Sequence, residues 1–241
     1  KNSFDESKYA QQVSDFLGTK HYTEFFDEKE LLDLVDYVLP KIDEPLADSS
    51  LLPSYLIAKS AKKHVNVVLT GDGADELFGG YAPLKALKPS MIYSKFIPKS
   101  IHNLFLYLSN HIPVSHSYMS FDFKVKRTLM GLSNQPNLWN PIWMSNLSKD
   151  QIQDILMEQV DLEEIYSEAI ELWDSSETKN EIDKSLEFYT KLYLSDNILA
   201  KVDRSSMMNS LECRAPYLDK DVVEFARKLA NKIKINKNNT K

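Results

Sequence analysis

Cysteine is almost absent from this sequence. Cys213 stands alone among 241 residues, which excludes an internal disulfide and fits a reducing, cytoplasmic setting. Long apolar runs are missing too: no stretch approaches the ~18 residues of a membrane-spanning helix, so no membrane partner is expected. Basic residues are not in excess. The 29 Lys and Arg stand against 35 Asp and Glu, a net charge of -6. That balance argues against a nucleic-acid binder held by phosphate neutralisation. The start, Lys1-Asn2-Ser3-Phe4-Asp5, shows neither an initiator methionine nor a signal-peptide pattern, so the chain reads as a piece of something longer. Its length suffices for one domain with a sizeable core, or one plus a helical extension.

Glycine is scarce as well, and it is concentrated. Four of the six glycines lie within ten residues, inside Leu69-Thr70-Gly71-Asp72-Gly73-Ala74-Asp75-Glu76-Leu77-Phe78-Gly79-Gly80-Tyr81. The β-branched run Val65 to Leu69 feeds into this stretch and reads as a short buried strand. Glycines let the backbone turn sharply and let a ligand approach it. Three acids among them repel bare phosphate, but they suit a divalent cation lying between carboxylates and a polyphosphate. The stretch therefore suggests a metal-nucleotide site at the carboxyl end of a strand, where open α/β sheets bind ligands. A Walker loop is excluded because no lysine occurs here, and the dinucleotide fingerprint fails where Glu76 replaces its third glycine. The plainer reading is a strand followed by an ordinary acidic turn.

Elsewhere the pattern is mainly helical. Ser3 and Glu6 form a capping box ahead of Tyr9, Ala10, Val13, Phe16 and Leu17, and Gly18 stops that helix. His21 to Phe26 reads as a short strand. Asp27 with Glu30 opens a second helix that ends at Pro40, and Pro53 sits early in a third that runs through Lys63. Strand, helix, helix, strand is the rhythm of a parallel α/β sheet. Beyond Tyr81 the spacing predicts helices around Ile101–Leu108 and over Phe121–Leu132. Asn134 to Asn146 reads as an ordered loop whose Trp139 and Trp143 pack on helices as core. Ser148 with Gln151 opens a further helix. Asp161 to Trp173 is acidic and amphipathic, a solvated face. Ser175 to Asn180 is a loop, and Ile182 to Leu199 is helical.

Thr70 to Tyr81 resembles, without a gap, the second signature block of the asparagine synthetase family, in the synthetase half of the glutamine-hydrolysing enzymes. Thr70 stands for the commoner serine, and Asp72 where many members carry glutamate. Asp43-Glu44-Pro45-Leu46-Ala47-Asp48-Ser49-Ser50 resembles the family's acidic proline segment. Lys201-Val202-Asp203-Arg204-Ser205-Ser206-Met207 and Leu211-Glu212-Cys213-Arg214-Ala215-Pro216-Tyr217-Leu218-Asp219 resemble its late helical block. The likeness runs from about Phe4 to the end and is weakest between about Leu84 and Asp183.

The resemblance implies an α/β fold. A partial parallel-sheet, adenine nucleotide hydrolase-like core would occupy residues 1–83 of one truncated domain, and a mainly helical part 84–241. It implies ATP and Mg2+ as cofactors, and aspartate or a similar carboxylate as substrate. Aspartyl-adenylate and pyrophosphate would form first, and ammonia would then displace AMP. Thr70, Gly71, Asp72 and Gly73 correspond to nucleotide-contacting positions, and Asp75 to the magnesium-binding aspartate. Asp72, Glu76 and Lys241 are the catalytic candidates, Lys241 neutralising the developing adenylate charge. Glu76 equally suits a helix-start acid favoured by the backbone dipole. Asp43, Glu44 and Asp48 reach the same site or cap a turn, the latter favoured. Lys201, Asp203 and Arg204 suit a buried ion-pair network at least as well as catalysis, Glu212 and Arg214 likewise, and Cys213 reads as an inert buried thiol.

The family's pyrophosphate loop, Ser-Gly-Gly-x-Asp-Ser, does not occur in these residues, nor does an amino-terminal cysteine for glutamine hydrolysis. Ammonia would therefore come from a glutaminase domain outside this chain, and the chain alone is expected to make no asparagine. A sheet short of strands would expose an edge that self-associates, and a homo-oligomer is compatible with the sequence. Two other readings stay open: an amidotransferase acting on a sugar acid or peptide carboxylate, and a degenerate interaction module.

Overall fold

In a computed structural model, residues 5–235 are described. The chain is mostly helical around a two-stranded parallel sheet. In order come α1 (Ser7–Leu17), α2 (Glu28–Val38), α3 (Leu51–Lys62), β1 (Val67–Leu69), α4 (Ala74–Phe78), α5 (Ala82–Phe96), α6 (Lys99–Ser109) and α7 (Phe121–Leu132). There follow α8 (Trp139–Met144), α9 (Lys149–Leu156), α10 (Leu162–Ile165), α11 (Ser167–Ser175) and α12 (Glu181–Phe188). A π-helical stretch, Tyr189–Leu199, leads into α13 (Ala200–Met207), β2 (Glu212–Arg214), α14 (Lys220–Lys228) and α15 (Asn231–Lys234). No helix among the described residues is long and apolar enough to cross a membrane.

Local signals set several boundaries. Gly18 ends α1 in the left-handed conformation, φ 63°, which costs glycine nothing. Asp27 and Glu30 close a reciprocal capping box on α2, with bonds of 2.8 and 3.2 Å. Ser148 and Gln151 do the same for α9, each box satisfying two orphan donors. Ser3 lies outside the described residues. At α1, Asp5 Oδ1 accepts from the Ser7 amide.

Three sequence expectations are corrected. His21 to Phe26 forms no strand; the second strand is Glu212–Arg214, inside the block read as helical, because its backbone finds a partner in β1. That register pairs Val67 with Glu212, Val68 with Cys213 and Leu69 with Arg214. Next, β1 is shorter than Val65–Leu69 and is not buried: Leu69 is 73% exposed. Among the described residues β1 has a strand neighbour on one side only. Finally, Asn134–Asn146 is not a loop but a 3-10 turn followed by α8. Trp139 and Trp143 are core as expected, and a helix delivers both to the same side.

The larger core joins Leu84 and Leu87 of α5 to Trp139, Trp143, Ala169, Ile182, Leu186, Phe188 and Tyr189. A second cluster, Val38, Leu51 and Tyr55, joins α2 to α3. Burying one such side chain contributes about 1.5–3 kcal/mol. By contrast, α1 leaves Tyr9, Val13, Phe16 and Leu17 exposed. Its helical spacing is as the sequence reads, but nothing in residues 5–235 covers that face.

Gly131 of α7 lies so close to the Trp143 indole that a Cβ there would overlap the ring. Gly131→Ala is expected to destabilise the fold by about 1–3 kcal/mol through overpacking, read as a lower urea midpoint. An unchanged midpoint would show that the indole moves freely.

Candidate nucleotide-site loop

The parallel pair β1–β2 brings the two most distinctive sequence blocks side by side. At its carboxyl end the Thr70 amide donates to the Arg214 carbonyl at 2.8 Å, extending the ladder one residue into the loop. Gly71, next along, has open space where a side chain would stand. Asp72 is half-buried. Gly73 adopts φ +90°, and a Cβ there would overlap the Leu218 side chain, so both conformation and space demand glycine.

Helix α4 then carries Asp75 and Glu76 in its first turn, where the backbone dipole favours acids. The Gly80 amide donates to the Asp75 carbonyl at 2.9 Å. A Cβ on Gly80 would overlap the Asp75 carboxylate. Glycine there lets the chain double back against Asp75 and fix its place. Phe78 meets Tyr217 edge to face at 6.2 Å, so the Pro-Tyr-Leu segment after β2 packs against the loop as its floor. The sequence reading missed that role, although the segment's position after the strand was a usable signal.

Glu76 is buried beneath the loop and accepts a hydrogen bond from the Tyr81 hydroxyl. Burial, and then that bond to a carboxylate, push the Tyr81 phenol well above its ordinary range. Tyr81 stacks on Tyr189 at 4.6 Å and meets Tyr193 edge to face at 5.7 Å. The loop acids thus divide by environment. Asp72 and Asp75 are half-buried, whereas Glu76 faces the interior. Among the described residues no three His, Cys, Asp or Glu side chains converge as a metal cage. Asp72 and Asp75 are the two half-buried carboxylates of the loop, oxygen donors of the type a hard cation takes. Lys241 lies outside the described residues.

The acidic proline segment meets α13. Arg204 grips Asp43 at 2.7 Å and Glu44 at 2.6 Å. Lys201 pairs with Asp48 at 3.2 Å, their side chains only 12% and 17% exposed. Asp48 also accepts from the Ser50 amide and hydroxyl and from Asn197. It is therefore both the turn-capping acid and the partner of a buried cation, and these pairs join the loop before α3 to α13. Glu212 and Arg214 form a different kind of pair. They sit two apart on β2, bonded at 2.7 Å but both mostly exposed, so they are not part of a buried network. Cys213 between them is half-buried rather than enclosed.

Burial pushes the Asp48 carboxyl up, but the Ser50 hydrogen bonds and the Lys201 charge outweigh it and leave it below the ordinary 3.8. A depressed carboxylate stabilises the fold fully above its unfolded value. That contribution is lost as pH falls through the lower, folded value. Wild type is therefore expected to lose stability more steeply below pH 3.8 than Asp48→Asn, measured by urea titration across that range. Lys201→Ala is expected to cost about 3 kcal/mol near neutrality, because it strands a half-buried charge.

The Asparagine synthase family model matches residues 1–241. The chain is 28% identical over 243 residues to asparagine synthetase [glutamine-hydrolyzing] 1 of Bacillus subtilis, covering 99% of this chain and 36% of that protein. It is 30% identical over 257 residues to a putative asparagine synthetase [glutamine-hydrolyzing] of Mycobacterium tuberculosis H37Rv, covering 100% of this chain and 36% of the other. A shorter match, 36% identical over 77 residues, relates it to asparagine synthetase B [glutamine-hydrolyzing] of Escherichia coli K12, covering 31% of this chain and 14% of that one. No solved structure matches. The chain thus spans about a third of the length of the first two of these relatives. The family match over residues 1–241 makes this chain a member of the asparagine synthase family.

Proposed function

We propose that this chain is the ATP-handling part of a synthetase that converts aspartate to asparagine. The observation that carries the reading is the acidic glycine loop at the carboxyl end of a parallel strand, paired with the late family block. Open space over Gly71 admits a nucleotide close to the backbone. Thr70, Gly71, Asp72 and Gly73 line that approach. Asp75, fixed against Gly80, would hold magnesium, which would neutralise the polyphosphate. Asp72 places its charge where the substrate carboxylate reacts with ATP and the amine later adds.

The aspartate side-chain carboxylate attacks the α-phosphorus of ATP, pyrophosphate leaves, and ammonia displaces AMP from the aspartyl-adenylate. Preorganised charge around such a centre contributes most to lowering its barrier. Glu76, enclosed with Tyr81, acts as a positioning residue that keeps α4 and its Asp75 in place. Lys241 is the candidate cation for the adenylate. Ammonia arrives from a glutamine-hydrolysing domain not contained in this sequence.

In the full-length protein, supplied with aspartate, magnesium-ATP and glutamine or ammonia, asparagine and pyrophosphate are expected in equal amounts. Asp75→Ala is expected to abolish both while the far-UV spectrum stays unchanged. Pyrophosphate without asparagine would point to another carboxylate, and neither product would sink the reading. The 241-residue chain alone, lacking a Ser-Gly-Gly-x-Asp-Ser loop, is expected to show no ATP–pyrophosphate exchange. Robust exchange would refute that.

A further inference from the structure

We propose that, in the synthetase proposed above and resting on that reading, Tyr193 is a positioning residue. It joins Asp48 of the acidic proline segment to Glu76 of the glycine loop, through Asn197 on one side and Tyr81 on the other. The two acids then belong to one site rather than to two separate junctions.

The residues that reach both acids come from one helix. The π-helical stretch Tyr189–Leu199 runs directly into α13, and widened turns of this kind are rare and concentrate at functional sites. Tyr193, Asn197 and Lys201 recur along it at every fourth position. Lys201 and Asn197 both donate to Asp48 Oδ2, at 3.2 and 3.3 Å. The Asn197 side chain also shares a hydrogen bond with the Tyr193 hydroxyl. The Tyr193 ring meets Tyr81 edge to face at 5.7 Å, and the Tyr81 hydroxyl donates to Glu76. Glu76 stands next to Asp75 in the first turn of α4. Contacts therefore run from Lys201 through Asp48, Asn197, Tyr193 and Tyr81 to Glu76.

Electrostatics tell the same story. Burial, then the charge of Asp48 and more weakly that of Glu76, push the Tyr193 phenol up, and the Asn197 hydrogen bond opposes them without reversing the direction. Both carboxylates thus bear on one hydroxyl, which stays protonated near neutrality. A neutral hydroxyl between two acids avoids the repulsion that a third negative charge would add. Tyr189 supplies the contrast. It stacks on the same Tyr81 ring at 4.6 Å, but its buried hydroxyl has no hydrogen-bond partner among the described residues. Ring packing is common to both tyrosines, and only the Tyr193 hydroxyl reaches towards Asp48. A shift of Glu76 would carry Asp75 with it, and a misplacement of about 1 Å at a reacting centre costs up to about 100-fold in rate.

The test is steady-state kinetics of the full-length protein with aspartate, magnesium-ATP and ammonia, with urea midpoints as folding controls. Tyr193→Phe, which keeps the ring, is expected to lower kcat about ten-fold while the KM values for ATP and aspartate stay within about two-fold, the mark of an interaction used in the transition state. Asn197→Leu is expected to do the same. The double variant is expected to be no worse than either alone, as for residues that act as a unit. Tyr189→Phe is expected to keep the wild-type kcat. Equal kinetics for Tyr193→Phe and Tyr189→Phe would overturn the proposal, as would losses that multiply in the double variant. Hydrogen exchange at the Gly80 amide, which donates to the Asp75 carbonyl, reads the same link without turnover. Asn197→Leu is expected to speed that exchange about ten-fold by loosening α4, and Tyr189→Phe to leave it unchanged. Exchange indifferent to Asn197→Leu would also overturn the proposal. A wild type that forms neither product sinks the synthetase reading, and the exchange result then decides by itself whether Tyr193 joins the two segments.

Discussion

Three residues of parallel pairing hold the acidic loop in place. Val67–Leu69 and Glu212–Arg214 share a ladder, and Thr70 carries it one bond further into the turn. Beyond that point the loop is fixed by close approach rather than by regular structure. Leu218 fills the space beside Gly73, and the Asp75 carboxylate lies against Gly80. At Gly73 the left-handed backbone, φ +90°, also disfavours any side chain, and at Gly80 a methyl group would displace the Asp75 carboxylate. Beneath them Glu76 and the rings of Tyr81, Tyr189 and Tyr193 form an interior support. A carboxylate and a phenol share one hydrogen bond there, which avoids the cost of burying either unpaired.

The second junction is ionic. The cations of α13 reach back to Asp43, Glu44 and Asp48, more than 150 residues earlier in the chain. These pairs differ in kind. Lys201–Asp48 is largely enclosed, so removing either partner strands a charge. Arg204 binds exposed acids, where water competes and each contact is worth little. Together they hold the loop before α3 against α13, next to the strand pair that carries the acidic glycine loop.

Much of this was legible in the residues. Capping boxes at Asp27 and Ser148 announced their helices because the signal is local. The glycine-acid cluster announced the loop because few backbones need so many glycines at once. Trp139 and Trp143 were recognised as core, but two prolines nearby disguised α8, since Pro141 falls in its first turn, where proline is tolerated. The strand at Glu212–Arg214 was passed over although Leu211 to Ala215 alternates apolar and polar residues, because only three residues pair and the family likeness put them in a helical block; its identity comes from pairing with β1. The stretch after Phe188 was read as helical, and its π-helical form over Tyr189–Leu199 left no sequence signal. The metal and catalytic roles of the loop acids rest on family likeness alone.

The pairing of Thr70 with Arg214 also orders events in time. These residues are 144 positions apart, and a ribosome adds about 5–20 residues each second. The glycine loop therefore leaves the ribosome well before its paired strand, its Leu218 neighbour or the cations of α13 exist. For that interval the loop has neither its paired strand nor the Tyr189 and Tyr193 rings behind Tyr81. The helices between, which depend on nearer contacts, can assemble first. The chain thus acquires its most chemically loaded segment as a late event, when the last fifth of the sequence returns to meet the first third.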